Sequence, residues 1–164
     1  MHKIGDIISY KAQGLCKIQA IKKEDMGQGE KEYYLLSPLN DEKSLIHIPC
    51  DNTLLCEKIK TLLTTEEVKE LINAFKDLCC EWIANDRHRT EVFKSVIDSG
   101  NRLELMKLWK SVDARESELL PLGKKIRSSD EYLREQAKKL LISEFSFVLG
   151  TEFEKTEEYI KNNQ

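Results

Sequence analysis

Thr64-Thr65-Glu66-Glu67-Val68-Lys69-Glu70-Leu71-Ile72-Asn73-Ala74-Phe75 is where the chain changes its period. Thr64 with Glu67 three positions on is a capping box, in which each side chain satisfies the other residue's backbone N–H. Val68, Leu71, Ile72 and Phe75 then recur at the three- and four-residue intervals of one helical face. Residues before this switch read as strands and residues after it as helices. The predicted class is therefore α+β in two domains, residues 1–60 and residues 61–164, the second all-α and compact.

Upstream the period is two. Asp6-Ile7-Ile8-Ser9-Tyr10 is apolar and β-branched and stops before Gly14. Leu15-Cys16-Lys17-Ile18-Gln19-Ala20-Ile21 alternates apolar and polar, as a half-buried strand does. A turn at Asp25-Met26-Gly27-Gln28-Gly29 leads to a strand over 31–36, and Ser44-Leu45-Ile46-His47-Ile48 runs into Pro49. Four short strands with turn chemistry between them predict a small β-barrel or a bent antiparallel sheet. Residues 1–63 carry nine basic and nine acidic side chains, so this half suits protein contact better than phosphate binding. Proline ends ladder pairing, so the strand before Pro49 is expected at an edge. The boundary is placed between residues 52 and 64, with Leu54, Leu55 and Ile59 implying that the connector packs against something.

Downstream, a helix is predicted over 77–98, stopped at Ser99-Gly100-Asn101, where glycine suits the left-handed residue after a helix end. The next is predicted over Arg102–Leu119, with Leu103, Met106, Leu108, Trp109 and Val112 as its apolar side and Trp109 in the core. A loop over 120–127 precedes a cap at Ser128 or Ser129 and a long helix ending at Gly150. Thr151 and Glu154 read as a second capping box opening a tail helix.

With 40% hydrophobic and 34% charged residues, the chain has the composition of a folded, soluble domain. No apolar run reaches the length of a bilayer span and no signal-peptide core is present, so a cytoplasmic, membrane-free, monomeric protein is expected. Cys16, Cys50, Cys56, Cys79 and Cys80 form no C-x-x-C pair, and only His2, His47 and His88 stand beside them. Reduced, mostly buried thiols and no metal are expected. Glycines form no phosphate cradle and no nucleophile signature occurs, so neither catalysis nor a cofactor is expected.

The chemistry-bearing stretch is Cys79-Cys80-Glu81-Trp82-Ile83-Ala84-Asn85-Asp86-Arg87-His88-Arg89. On the predicted helix, Trp82, Asp86 and Arg89 share a face. Trp82 then has two readings, a packed core ring or an exposed wedge that enters a base step. Arg87, His88 and Arg89, with Lys124, Lys125 and Arg127, are six candidate phosphate contacts. A net charge of −3 argues against non-specific coating of nucleic acid but leaves room for a local basic patch.

The ordered set Ile4-Gly5-Asp6, Tyr10, Gly14, Ile18, Ala20-Ile21, Glu32-Tyr33-Tyr34-Leu35-Leu36 and Ile46-His47-Ile48-Pro49 with Asn52, followed by Trp82, Ser99-Gly100, Trp109 and 137–149, resembles the CarD/CdnL family of bacterial RNA polymerase-binding transcription regulators. The resemblance implies a Tudor-like N-terminal domain that docks on the RNA polymerase β subunit, here through Glu24, Ile46, His47 and Ile48. It implies a helical domain that contacts promoter DNA and stabilises the open complex, through Trp82, Asp86, Arg87, His88, Arg89, Lys124, Lys125 and Arg127. Two departures stand out: the family carries arginines near the positions of Glu24 and His47, and its wedge tryptophan falls near Asp86. A module like the first domain also occurs in transcription-repair coupling factors, whose motor domains have no counterpart here. The alternative function is a protein–protein adaptor on RNA polymerase or another partner, without direct DNA binding.

Overall fold

The computed structural model describes residues 2–27, 29–41 and 43–163. The chain divides into two compact units between Leu62 and Leu63. Gln28, part of the expected turn, lies outside the described residues.

The first unit is a five-stranded antiparallel sheet: β1 Ile7–Tyr10, β2 Gly14–Asp25, β3 Glu30–Pro38, β4 Ile46–Pro49 and β5 Ile59–Thr61. Its order is β4-β3-β2-β1-β5, and no ladder joins β4 to β5 among the described residues. Of the two expected forms, the chain adopts the open sheet. Ile8, Tyr10, Cys16, Ile18, Leu36, Ile48 and Ile59 form the buried cluster. A bulge between Ile18 and Ala20 shifts the register of β2 against β3 and brings Ile21 opposite Tyr34.

The strand count was expected to be four, and β5 is the addition. It has three residues with one inward side chain, Ile59, too few for alternation to register. The expected connector is therefore built structure: the one-turn helix α1 Thr53–Cys56, capped by Asn52, then β5 paired with β1 from Ile8 opposite Thr61 to Tyr10 opposite Ile59. Leu55 and Ile59 pack on the sheet core while Leu54 is exposed.

The second unit holds α2 Thr65–Ala74, α3 Asp86–Ser99, α4 Arg102–Leu119, α5 Ser128–Leu149 and α6 Phe153–Lys161. α4 buries Leu105, Met106, Leu108, Trp109, Ser111 and Val112, so it is covered on more than one side, and Leu103, expected inward, is exposed. The Trp109 ring lies 5.1 Å from that of Phe75, and its Nε1 donates to Asp113 Oδ2 at 2.7 Å. Desolvation holds the Asp113 carboxyl above its ordinary value, against the pull of Arg134 and the indole. Gly100, Gly123 and Gly150 end their helices or turns in the left-handed region, which a side chain would resist.

Two expected caps move. α5 starts from Arg127 with no side-chain cap, and Ser128 and Ser129 are its first residues. α6 starts from Glu152, also without a side-chain cap, because the Thr151 hydroxyl instead meets that of Thr156 at 2.6 Å. The expectation of mostly buried cysteines is also corrected: all five are free, but only Cys16 is buried, and Cys79 is exposed. Burial pushes the Cys16 thiol up to about 11. Among the described residues no helix is long and apolar enough to cross a membrane.

The capping box at the period switch is present in full: Thr64 N donates to Glu67 Oε2 at 2.7 Å, and Glu67 N donates to Thr64 Oγ1 at 3.2 Å. Thr64→Ala removes that acceptor. The expected cost is about 1 kcal/mol, read as a lower urea midpoint at unchanged m-value.

Candidate functional site

Residues 78–85 form no helix. A 3-10 turn, Phe75–Asp77, closes α2, Leu78 turns extended, and α3 begins only at Asp86, where Asn85 accepts from His88 N at 2.9 Å. The helix expected over 77–98 is thus shorter, and Trp82 shares no helical face with Arg89. The two side chains nevertheless meet. The irregular segment folds back so that the Arg89 guanidinium lies 4.2 Å from the Trp82 ring centroid, with Arg115 at 5.8 Å.

Arg89 is 2% exposed, which corrects its expected role as a phosphate contact. Its Nε and Nη2 donate to the two carboxylate oxygens of Asp130 at 3.0 and 2.7 Å. Nη2 also donates to Asp86 Oδ1 at 2.7 Å, and Nη1 to the Ile83 carbonyl at 2.8 Å. A buried guanidinium needs such a set, because each unpaired donor would carry its full desolvation cost. Asp130, also 2% exposed at its side chain, sits in the first turn of α5, where the helix dipole favours an anion. Arg89 therefore joins three pieces: α3, the start of α5 and the carbonyl of the irregular segment.

Asp86 is occupied as well. The hydrogen bond from Arg89, followed by the charge of Arg127, holds its carboxyl below the usual aspartate range. Arg127, at the base of the α4–α5 loop, forms an ion pair with Asp86. Trp82, Asp86, Arg89, Lys125 and Arg127 line one groove with Asp130. Arg87, His88 and Lys124 are exposed outside that lining. The Arg87 side chain is 91% exposed and forms an ion pair with Glu91, a turn along α3. Trp82 is half-buried against the helical core. The partners missed from sequence are Asp130 and Arg115. Asp86 and Arg89 stand three apart on a helix, which was a readable signal; Asp130 is forty-one positions from Arg89 and was not.

In the sheet unit, β4 is an outer strand that, among the described residues, pairs only with β3. Ile48 points into the core at 1% exposure, which removes its side chain from any docking surface, while Ile46 and His47 are half-buried. His47 Nδ1 stands 3.0 Å from Glu24 Oε2, and its ring meets Tyr33 edge-on at 6.4 Å. Glu24, Tyr33 and His47 thus lie together across β2, β3 and β4.

The family model of the CarD-like/TRCF RID domain matches residues 2–60. The sheet unit is a CarD-like/TRCF RID domain. The match runs from before β1 into β5, so it holds all of β4 and β5 as far as Lys60, and α2 to α6 lie beyond it. The match is to this one domain, and it ties the chain to interaction with RNA polymerase and to transcription. The RID family is a non-catalytic interaction family. No curated protein matches the chain.

Two outcomes check the helical site. Asp130→Ala leaves the Arg89 guanidinium buried without its two-oxygen partner, with an expected loss of about 3–5 kcal/mol in urea unfolding. The double change Arg89→Met, Asp130→Leu recovers most of that loss. Because the folded-state value of Asp86 is lowered, its stabilising effect is complete above the unfolded value near 4 and fades as pH falls through the lower folded value. The stability difference between the protein and its Asp86→Asn variant should therefore stay level from pH 8 to 5 and close below about pH 4, as followed by urea midpoints.

Proposed function

We propose that this chain is a transcription regulator whose RID domain docks on the β subunit of RNA polymerase while the helical unit contacts promoter DNA and stabilises the open complex. The observation that carries the reading is the RID match over a sheet whose β4 edge is unpaired among the described residues. An outer strand offers a row of backbone donors and acceptors to a partner strand, and that recognition depends little on side chains. It therefore tolerates Glu24 and His47 at positions where the family carries arginines. The two side chains meet each other at 3.0 Å, with Ile46 beside them on β4.

Arg87, Lys124, Lys125 and Arg127 are the exposed cations left for phosphate once Arg89 is counted out, with His88 beside Arg87. Contacts to phosphate position a protein on DNA without reading sequence. A protein held on the polymerase that touches DNA better in the melted than in the closed state shifts that equilibrium by the difference. Trp82, with Arg89 over its ring, acts in this reading as packing that fixes the surface. The adaptor reading draws support from one observation: Arg127 already pairs with Asp86, which weakens the basic patch.

The full chain is expected to be retained on immobilised β subunit, and retention by whole polymerase but never by β would sink the docking site. Binding to a forked promoter fragment should fall with salt at a slope of about −3.6 for four phosphate contacts. Polymerase retention with no salt-dependent DNA binding selects the adaptor. Trp82→Ala should melt several degrees lower while keeping open-complex lifetime per folded molecule.

A further inference from the structure

The candidate docking edge and the candidate DNA surface make no use of the adjacent thiols Cys79 and Cys80. Both are free, Cys79 exposed and Cys80 half-buried, in the segment that forms no helix. They line one wall of an open groove of about 230 Å³, with Ile83 further along the same wall. α3 adds Val92, Phe93 and Val96, and α4 adds Leu108, so most of the remaining lining is apolar. Of the charged residues around it, Glu104 and Lys107 are paired with each other at 2.8 Å. Among the described residues the peptide bonds are all trans. Cα atoms across a trans peptide lie about 3.8 Å apart, short of the roughly 4.4 Å at which relaxed disulfides begin. The pair therefore resists closing on itself and presents two thiols to one groove. Burial raises the Cys80 thiol, against the pull of the Lys110 ammonium, so the exposed Cys79 reacts first.

We propose that Cys79 and Cys80 bind a monoorganic trivalent arsenical, its arsenic bridging the two sulfurs and its organic group lying on the apolar lining of the groove. The number of donors selects the ligand. Thiolates prefer soft centres, but a structural zinc site takes four ligands. Among the described residues no cluster of three or more His, Cys, Asp and Glu could hold a metal ion. Inorganic arsenite has three positions for sulfur, one more than the pair offers. An organoarsenic(III) oxide has two, and its carbon substituent gains from leaving water. Val92, Phe93, Val96 and Leu108 give that substituent a surface to cover. The step is a condensation with no change of oxidation state. Two S–H bonds break, two As–S bonds form, and the oxide oxygen leaves as water with the two thiol protons. An atom inserted between the sulfurs lengthens the bridge, so the short Cα spacing that disfavours a disulfide does not disfavour the chelate. Ile83 ties the site to the rest of the helical unit, since it lines the groove while its carbonyl accepts from Arg89 Nη1 at 2.8 Å.

The test adds phenylarsine oxide to the reduced full chain, to Cys79→Ser/Cys80→Ser and to Cys50→Ser/Cys56→Ser, followed by intact mass and thiol titration. The last variant controls for the other neighbouring pair, in which the Cys56 thiol lies 3.7 Å from the Cys50 carbonyl. One phenylarsenic group should add to the unaltered chain with loss of two titratable thiols. The dithiol 2,3-dimercaptopropanol should remove it, and 2-mercaptoethanol should not. Cys50→Ser/Cys56→Ser should behave in the same way. Cys79→Ser/Cys80→Ser should bind about a hundredfold more weakly, the low end of the gain from joining two contacts in one ligand. Preference for phenylarsine oxide over methylarsine oxide should exceed that of free dithiothreitol by about tenfold, from burial of the ring. Undiminished binding in Cys79→Ser/Cys80→Ser, or its loss in Cys50→Ser/Cys56→Ser, overturns the site. Removal by the monothiol overturns the two-sulfur chelate. A phenyl preference no greater than that of dithiothreitol overturns the role of the groove. Cys79→Ser alone, at the exposed position, leaves the half-buried Cys80 in place, and dithiol-only reversal in that variant overturns the site as well.

Discussion

A guanidinium cannot be buried alone. Once Arg89 turns inward, Asp130 must face it with both oxygens, Asp86 must stand one turn back, and the Ile83 carbonyl must come to its remaining edge. Those demands decide where α5 starts, how the irregular residues 78–85 lie and which face of Trp82 is covered. The pair does not add much to stability by itself, because desolvation offsets much of the attraction. What it supplies is a single permitted arrangement of three chain segments. The loop between α4 and α5 hangs from that arrangement through Arg127.

The sheet unit solves a different problem. Its outer strand β4 is short and is followed at once by α1, which packs beside it. An edge left open for a partner is also an invitation to unwanted pairing, and shortness limits that hazard. The bulge in β2 lies one ladder further in, between β2 and β3: without it the alternation that buries Cys16 and Ile18 would run on unbroken past the point where Ile21 meets Tyr34.

Period and punctuation carried most of the fold. Thr64 with Glu67, Gly100 and Gly150 marked helix ends that chemistry dictates locally, and Leu15 to Ile18 alternated because one face meets a core. Two of the three failures share a cause. β5 exists because β1 offers it a ladder, the first turn of α3 begins late because Asn85 caps it, and Arg89 is buried because Asp130 waits for it. The ladder and the buried pair depend on partners distant in sequence, which no window of residues can display. The candidate site was therefore legible as a neighbourhood: Arg87, Lys124 and Lys125 are exposed, while Arg89, read from sequence as one more phosphate contact, turns inward.

α5 has a property that none of its pairs shows singly. Arg89 of α3, Arg102 and Asp113 of α4, and Glu157 of α6 all close their ion pairs on it, at Asp130, Glu144, Arg134 and Lys138 in turn. Glu144 also accepts from the Leu63 backbone at the very start of the helical unit. Connections that converge on one member act in parallel, so loosening one neighbour leaves the others anchored, whereas fraying α5 releases all of them together. In a bundle wired in this way, α5 is the helix whose unfolding undoes all four of these pairs at once.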